Sequence, residues 1–280
     1  MQKGYRDHHA FRWCSVPSIE GTCSKIGTIK VKLHRKLQGQ IKTATIKHEA
    51  GQWYVVFSCE VEQPAPLPLT DSEVGIDLGI THFAALSDGT FIESPRLYRK
   101  AQADLKRQQQ ALSRKKRGSH RREKARKAVA RAHRKVANQR RDFHHKQANK
   151  LVQEHQTIVF EELQLVNLLR HPKAKQDENG TDLPNGAAAK GGLNKSLLDA
   201  GMGQFVAIVT SKAEYAGRTV VKINPKKTSQ ICSHCHKQGP HKDLEERVHI
   251  CSFCGVVLDR DENAAIVRRF GAYQISPTGR

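Results

Sequence analysis

One stretch of this 280-residue chain cannot belong to any hydrophobic core. Between Arg96 and Lys150 lie 21 Lys or Arg and three acids (Asp104, Glu123 and Asp142), a local net charge of +18. The whole chain carries +21, so everything outside this block is close to neutral. The sequence therefore reads as one cationic device attached to an ordinary globular body. Charge of that size and sign argues for a polyanionic partner, whose phosphates neutralise what three acids cannot. The competing reading is a solvated charged surface, but so few acids would leave it repelling itself.

The block has helical periodicity. Leu97, Ala101, Leu105 and Leu112 form one apolar series. After Gly118-Ser119 a second series runs Ala125, Val129, Ala132, Val136, Phe143, Ala148, Leu151 and Val152. Steps of mostly three, four and seven keep each series on one stripe. Pro95 is placed to open the first helix and Gly118 to separate the two. A helical hairpin over 95–152 is expected, with cationic outer faces. Its candidate phosphate contacts are Arg114, Lys115, Lys116, Arg117, Arg121, Arg122, Arg126, Lys127, Arg134, Lys135, Arg140 and Arg141.

Four of the seven cysteines form two pairs, Cys232-Ser233-His234-Cys235 and Cys251-Ser252-Phe253-Cys254, separated by 15 residues. Two such knuckles supply four thiolates to a tetrahedral ion, which is a closed, structural zinc site. His234, His236, His241 and His249 are read as bystanders, because four sulfurs suffice. Cys14, Cys23 and Cys59 lack the spacing and read as small core residues.

Elsewhere the sequence alternates as strands do. Ile29, Val31 and Leu33, then Trp53, Val55, Phe57, Cys59 and Val61, predict an antiparallel unit of roughly three strands, with a turn at 49–52. Pro64, Pro66 and Pro68 make a linker. Val74 to Ile80 is an apolar run, 83–87 is another, and Asp88-Gly89 is a hairpin turn before Thr90-Phe91-Ile92. Thr157 to Phe160 is a short buried strand. The Gly- and Asn-rich stretch 171–194 reads as a flexible loop, Leu193 to Gly217 as a helix, and Arg218 to Ile223 as a strand. This order implies an α/β fold, a mixed sheet with helices on its faces.

Three carboxylates stand out against that pattern. Asp77 lies inside an apolar strand between Gly75 and Gly79, where an uncompensated charge costs several kcal/mol, roughly. Glu161 closes the 157–160 strand. Asp261 precedes Asn263-Ala264-Ala265 at the start of an amphipathic helix. Converging on one sheet end, the three could hold Mg²⁺ (or Mn²⁺) for phosphodiester hydrolysis. The structural alternatives are a macrodipole role for Glu161 and Glu162 and an N-cap role for Asp261.

In order and spacing these residues resemble the TnpB/OrfB family of insertion-sequence proteins, relatives of the type V CRISPR effectors. Val74-Gly75-Ile76-Asp77-Leu78-Gly79 is similar to the first RuvC motif, and Val159-Phe160-Glu161-Glu162-Leu163 to the second. Asp259-Arg260-Asp261-Glu262-Asn263-Ala264-Ala265 is similar to the third. Thr228-Ser229-Gln230 and the two knuckles resemble the zinc ribbon, and Asp199 to Phe205 also fits, with Met202 where Trp is usual. The resemblance runs from about residue 27 to 266. It implies an RNase H-like RuvC core with catalytic Asp77, Glu161 and Asp261, and it selects Glu161 over Glu162 and Asp261 over Asp259.

The implied layout is a partial wedge-like β domain at 1–70, a RuvC-like core at 71–227 containing the hairpin, a zinc ribbon at 228–256, and the end of the core at 257–280. Against the family pattern the chain is expected to be short at its N-terminus. The implied activity is Mg²⁺-dependent DNA cleavage directed by a guide RNA from the protein's own element; such proteins often carry the transposase label. Guide RNA and target DNA are the implied partners. A DNA- or RNA-binding remnant without productive cleavage is the alternative. A zinc-ribbon ribosomal or transcription protein would explain the charge and the cysteines but not the three acids. No run of about 18 apolar residues predicts a membrane span, and no apolar leader segment is visible, so a cytoplasmic, nucleoid-associated location is expected.

Overall fold

The computed structural model describes residues 12–13, 19–23, 27–33, 36–224, 230–240 and 246–275. Cys14, His241 and Thr228-Ser229 lie outside the described residues. The chain divides into two compact units, one of residues 1–63 with 115–131, the other of 64–114 with 132–280.

The first unit holds two small antiparallel sheets rather than one unit of roughly three strands. Strands β1 (Arg12–Trp13), β2 (Ile19–Cys23) and β3 (Gly27–Val31) form one. The other is the hairpin of β4 (Gln40–Glu49) and β5 (Gln52–Glu60). Its two-residue turn puts both Ala50 (φ 52°) and Gly51 (φ 79°) in the left-handed region. That geometry matches the twist of the flanking strands.

In the second unit β6 (Glu73–Leu78), β7 (His82–Leu86) and β8 (Phe91–Glu93) make an antiparallel meander. Next come α1 (Leu97–Ser113) and α2 (His120–Glu154), whose first turns belong to the first unit. The Ser119 hydroxyl accepts from the Arg122 N–H and caps α2. Pro95 does not open α1: the helix starts at Leu97, after Arg96 in a left-handed conformation (φ 47°). Strand β9 (Thr157–Glu161) then runs parallel to β6.

The stretch from 171 to 194 is not a plain loop. After α3 (Leu165–Leu169) it forms a short hairpin of β10 (Lys175–Gln176) and β11 (Asp182–Leu183) and then enters a helix. The single helix expected over 193–217 is two, α4 (Ala187–Ala200) and α5 (Met202–Ala216), broken at Gly201 (φ 63°). Strand β12 (Thr219–Ile223) pairs parallel with β9. The chain continues through β13 (Val248–Ile250), β14 (Val257–Asp259) and α6 (Arg260–Ile275).

The main sheet has the order β12-β9-β6-β7-β8, with β12, β9, β6 and β8 running one way and β7 reversed. It is a mixed α/β sheet. Side chains alternate along a strand, so β6 sends Val74 and Ile76 to one face and Gly75 and Asp77 to the other. The first face packs with Ile158, Phe160, Phe83, Leu151 of α2 and Phe205 and Val209 of α5 into the main core. Each such buried side chain contributes about 1.5–3 kcal/mol.

The second face is covered by α6, and it is covered without clearance. A Cβ on Gly75 would stand 2.0 Å from the Ala265 carbonyl oxygen and 2.8 Å from the Arg269 nitrogen, both backbone atoms of α6. Gly75→Ala is therefore expected to force the helix off the strand and destabilise the chain by more than ~2 kcal/mol, the scale of overpacking in a tight core. Denaturant unfolding checks this; a loss under ~0.5 kcal/mol would contradict the packing described.

Candidate active site and metal centre

Asp77 and Glu161 stand side by side because of register. Ile76 is aligned with Phe160 in the parallel β6–β9 pair, so the next residues, Asp77 and Glu161, share one level at the carboxyl ends of neighbouring strands. Glu161 closes β9 and is half-buried, whereas Glu162 is exposed and gives its N–H to the Ile223 carbonyl. Asp261 comes from the first turn of α6. It is not the N-cap. Asp259 caps the helix, its Oδ1 accepting from the Asp261 N–H at 2.8 Å and the Glu262 N–H at 3.3 Å.

A fourth residue joins the three acids, and sequence reading missed it. Arg268 follows Asp261 by seven residues, two helical turns, and so lies on the same face of α6. Its side chain is only 4% exposed. Nη1 lies 2.8 Å from Asp77 Oδ1, and Nη2 donates to Glu161 Oε2. The guanidinium thus bridges the carboxylates of β6 and β9. It is incompletely satisfied: Nε has no hydrogen-bond partner, and Nη1 meets Asp77 as an ion pair outside hydrogen-bond alignment.

Asp77 feels the whole group. Burial is the main cause that raises its carboxyl to about 6; Arg268 opposes this, and the charges of Asp261 and Glu161 add to it. A buried carboxylate whose neighbours include two more acids is a site that favours cations. Among the described residues, however, the only group of His, Cys, Asp or Glu ligand atoms within 4.8 Å of one another is the four cysteines. The three acids gather at one sheet end, with Arg268 between two of them.

The cysteines form a tighter cage. The Cys232–Cys254 and Cys235–Cys251 sulfurs are 3.7 and 3.5 Å apart. A tetrahedral Zn–S distance of about 2.3 Å needs sulfurs separated by ~3.8 Å, so the donor set suits zinc. The Phe253 backbone N–H, helped by that of Cys254, points at the Cys251 sulfur and holds its thiol down to about 6. Gly255 (φ 74°) and His236 (φ 57°) make the equivalent left-handed turn after each knuckle. His236 is a strained choice there, and its ring packs edge-on against Phe270 at 5.3 Å. Asn263, fully buried, ties this module to α6: its Oδ1 accepts from the Ser233 N–H and its Nδ2 donates to the Ile231 carbonyl, both at 2.9 Å.

The twelve basic candidates are not equivalent. Arg114, Lys115, Lys116 and Arg117 are exposed in the turn before α2, and Arg121, Arg126, Lys127, Lys135 and Arg141 are exposed along it. Arg126 pairs with Glu123 at 2.7 Å. Arg122 and Arg134 are half-buried. Arg140 turns inward, donating to the Asp199 carbonyl at 2.7 Å and pairing with the Asp199 carboxylate at 3.2 Å. Asp199 also accepts the Tyr98 N–H at 2.9 Å, so it anchors the start of α1. His144, buried between Phe83 and Phe205, donates from Nε2 to the Ala200 carbonyl at 2.9 Å, and burial lowers its pKa.

Comparison with known proteins bears on this arrangement. Residues 56–171 match the OrfB_IS605 family model, described as a probable transposase, and residues 203–267 match the Cas12f1-like TNB domain model. The chain is 32% identical over 241 residues to an Escherichia coli K12 protein named putative RNA-guided DNA endonuclease InsQ, covering 86% of this chain and 59% of that one. It is 36% identical over 227 residues to a putative RNA-guided DNA endonuclease of Streptomyces pristinaespiralis, covering 80% and 51%. A cryo-EM structure of the Cas12f1-sgRNA-target DNA complex superposes with a TM-score of 0.47 at 15% identity, covering 80% of this chain and 55% of that one. The chain spans between half and three fifths of the length of these curated relatives. No helix among the described residues is long and apolar enough to cross a membrane.

Asp77 supplies a pH test. Its folded pKa lies above the unfolded value, so its ionised form weakens the fold above about pH 6, and the penalty fades as pH falls towards the ordinary carboxylate range. Asp77→Asn is expected to raise stability by ~1–3 kcal/mol at pH 8 in magnesium-free buffer, the gain shrinking between about pH 6 and 4. Thermal unfolding across that range checks it; a variant less stable than the parent at pH 8 would contradict the assignment.

Proposed function

We propose, from the premise that this chain is a relative of the TnpB/OrfB proteins of insertion sequences, that it is a metal-dependent DNA endonuclease of the RuvC type. The observation that carries this reading is the meeting of Asp77, Glu161 and Asp261 from β6, β9 and α6 at one sheet end, with Asp77 raised to about 6. Asp77 and Glu161, with Asp261 across from them, would hold Mg²⁺ or Mn²⁺. Bound there, such ions supply an activated water and stabilise the leaving oxygen of a phosphodiester. The acids themselves orient the scissile phosphate's counter-charge, and burial by α6 limits competing water.

The exposed cations of the 114–117 turn and of α2 would neutralise backbone phosphates and position the nucleic acid without reading its sequence. The relatives' names support an RNA-guided mode, with guide RNA and target DNA as partners and the nucleoid as the place of action. The four cysteines would hold structural Zn²⁺, fixing the knuckles against α6 through Asn263. In this reading the RuvC-like core spans 71–227 and 257–280, interrupted by the ribbon at 228–256.

A second reading, a nucleic-acid binder without productive cleavage, draws support from one observation: Arg268 already engages two of the three acids. One experiment separates the two. The chain is co-expressed with its own flanking DNA, purified with the RNA it retains, and given Mg²⁺ and DNA. Cleavage lost in Asp77→Ala, with binding kept, supports the nuclease; folded protein that binds but never cuts supports the binder.

Two further outcomes follow from the chemistry. Binding should weaken steeply with salt, and charge reversal across Lys115, Lys116 and Arg117 should flatten the slope of log K against log salt by roughly 0.7–0.9 per lost contact; an unchanged slope would take the turn out of the interface. Cys235→Ser should abolish stoichiometric zinc, read by elemental analysis, and lower the unfolding midpoint of the whole second unit. Full zinc retention would contradict the four-sulfur site.

A further inference from the structure

Arg268 is a cation in a place where the proposed chemistry needs one. It is almost fully buried, with its side chain 4% exposed against 18% and 21% for the Asp77 and Glu161 side chains it bridges. The bridge spans two neighbouring strands, β6 and β9, from a helix that also carries Asp261. A divalent ion shared by Asp77 and Glu161 would occupy the same gap, because both groups answer the same pair of negative charges. Burial of a charged pair is costly unless its hydrogen bonds are complete. Here they are not: Nε is buried without a partner, and Nη1 faces Asp77 without hydrogen-bond alignment. The guanidinium is held by its hydrogen bond to Glu161 and by the ion pair with Asp77, and one positive charge does not balance three carboxylates.

We propose that Arg268 is a resident counter-cation of the acid site, which keeps Asp77 and Glu161 paired when divalent metal is scarce and must leave them for metal to enter. It is a positioning residue, acting through the carboxylates it holds. Metal loading of this chain is thereby a competition between guanidinium and ion, and the affinity for metal is set below what three carboxylates alone would give. The seven-residue spacing from Asp261 makes the device part of the same helix that completes the site, so withdrawing the side chain need not move the backbone docked on Gly75.

The inference rests on the reading of these acids as a metal site, and its test distinguishes the two. Mn²⁺ binding to the full zinc-loaded chain is titrated by electron paramagnetic resonance of the free ion, in wild type, Arg268→Met and Glu161→Gln. Arg268→Met is expected to bind Mn²⁺ at least about tenfold more tightly than wild type, since a competing buried charge is removed, and Glu161→Gln to bind it more weakly. Equal affinities in wild type and Arg268→Met, with Glu161→Gln still weaker, would overturn the counter-cation while leaving the metal site intact. Binding that ignores Glu161 in every variant would overturn the metal site and the counter-cation together.

Should Arg268→Met not fold, wild type itself carries the test. The Arg268 side-chain Nε–H resonance, assigned by its absence from Arg268→Lys, is expected to shift as Mg²⁺ saturates the acids. A resonance that stays fixed while metal binds would overturn the proposal.

Discussion

The backbone of α6 lies directly on β6, and it can do so only because residue 75 has no side chain. Any Cβ there would meet the Ala265 carbonyl at 2.0 Å. This one approach fixes the distance between helix and sheet, and the site depends on that distance. It brings Asp261 and Arg268, two turns apart on α6, over the ends of the strands that carry Asp77 and Glu161. It also fixes the cysteine knuckles, since Asn263 on the same helix bonds to both Ile231 and Ser233. One glycine thus sets three neighbouring features: the acid group, its internal cation and the cysteine module.

The same packing makes the site energetically uneasy. A carboxylate raised to about 6 is ionised at physiological pH at a cost to the fold. Arg268 relieves that tension without ending it. Burying an ion pair rarely adds net stability, and breaking one partner away leaves the other uncompensated. The acid group is held in place by the apolar core on the opposite face of the sheet. That core is built from Phe83, Phe160, Phe205 and their neighbours.

How much of this was legible in the sequence varies by residue. The place of Asp77 in a buried strand was, because the apolar run around it reads as one, and a carboxylate there is the hardest of the three acids to explain structurally. The cysteine knuckles were, because the spacing alone defines the geometry. The two basic helices were visible in their periodicity and in Gly118, but the 171–194 stretch was not: its Gly and Asn residues mark the hairpin turn and the start of α4, local choices that composition alone cannot separate from a loop. Arg268 was hidden in a different way. In a chain with 48 Lys and Arg, one more basic residue carries no signal until the helix is docked. The seven-residue interval from Asp261 was the available hint. Arg140 shows the converse, a residue of the basic block whose charge is used internally by Asp199.

The most direct measurement is anomalous diffraction from crystals of the chain grown in Mn²⁺. The account predicts anomalous density at about 2.0–2.6 Å from carboxylate oxygens of Asp77 and Glu161, with Asp261 facing it and the Arg268 guanidinium moved away from both. Crystals at saturating Mn²⁺ that keep the guanidinium between the two carboxylates, with no anomalous density among the acids, would contradict it.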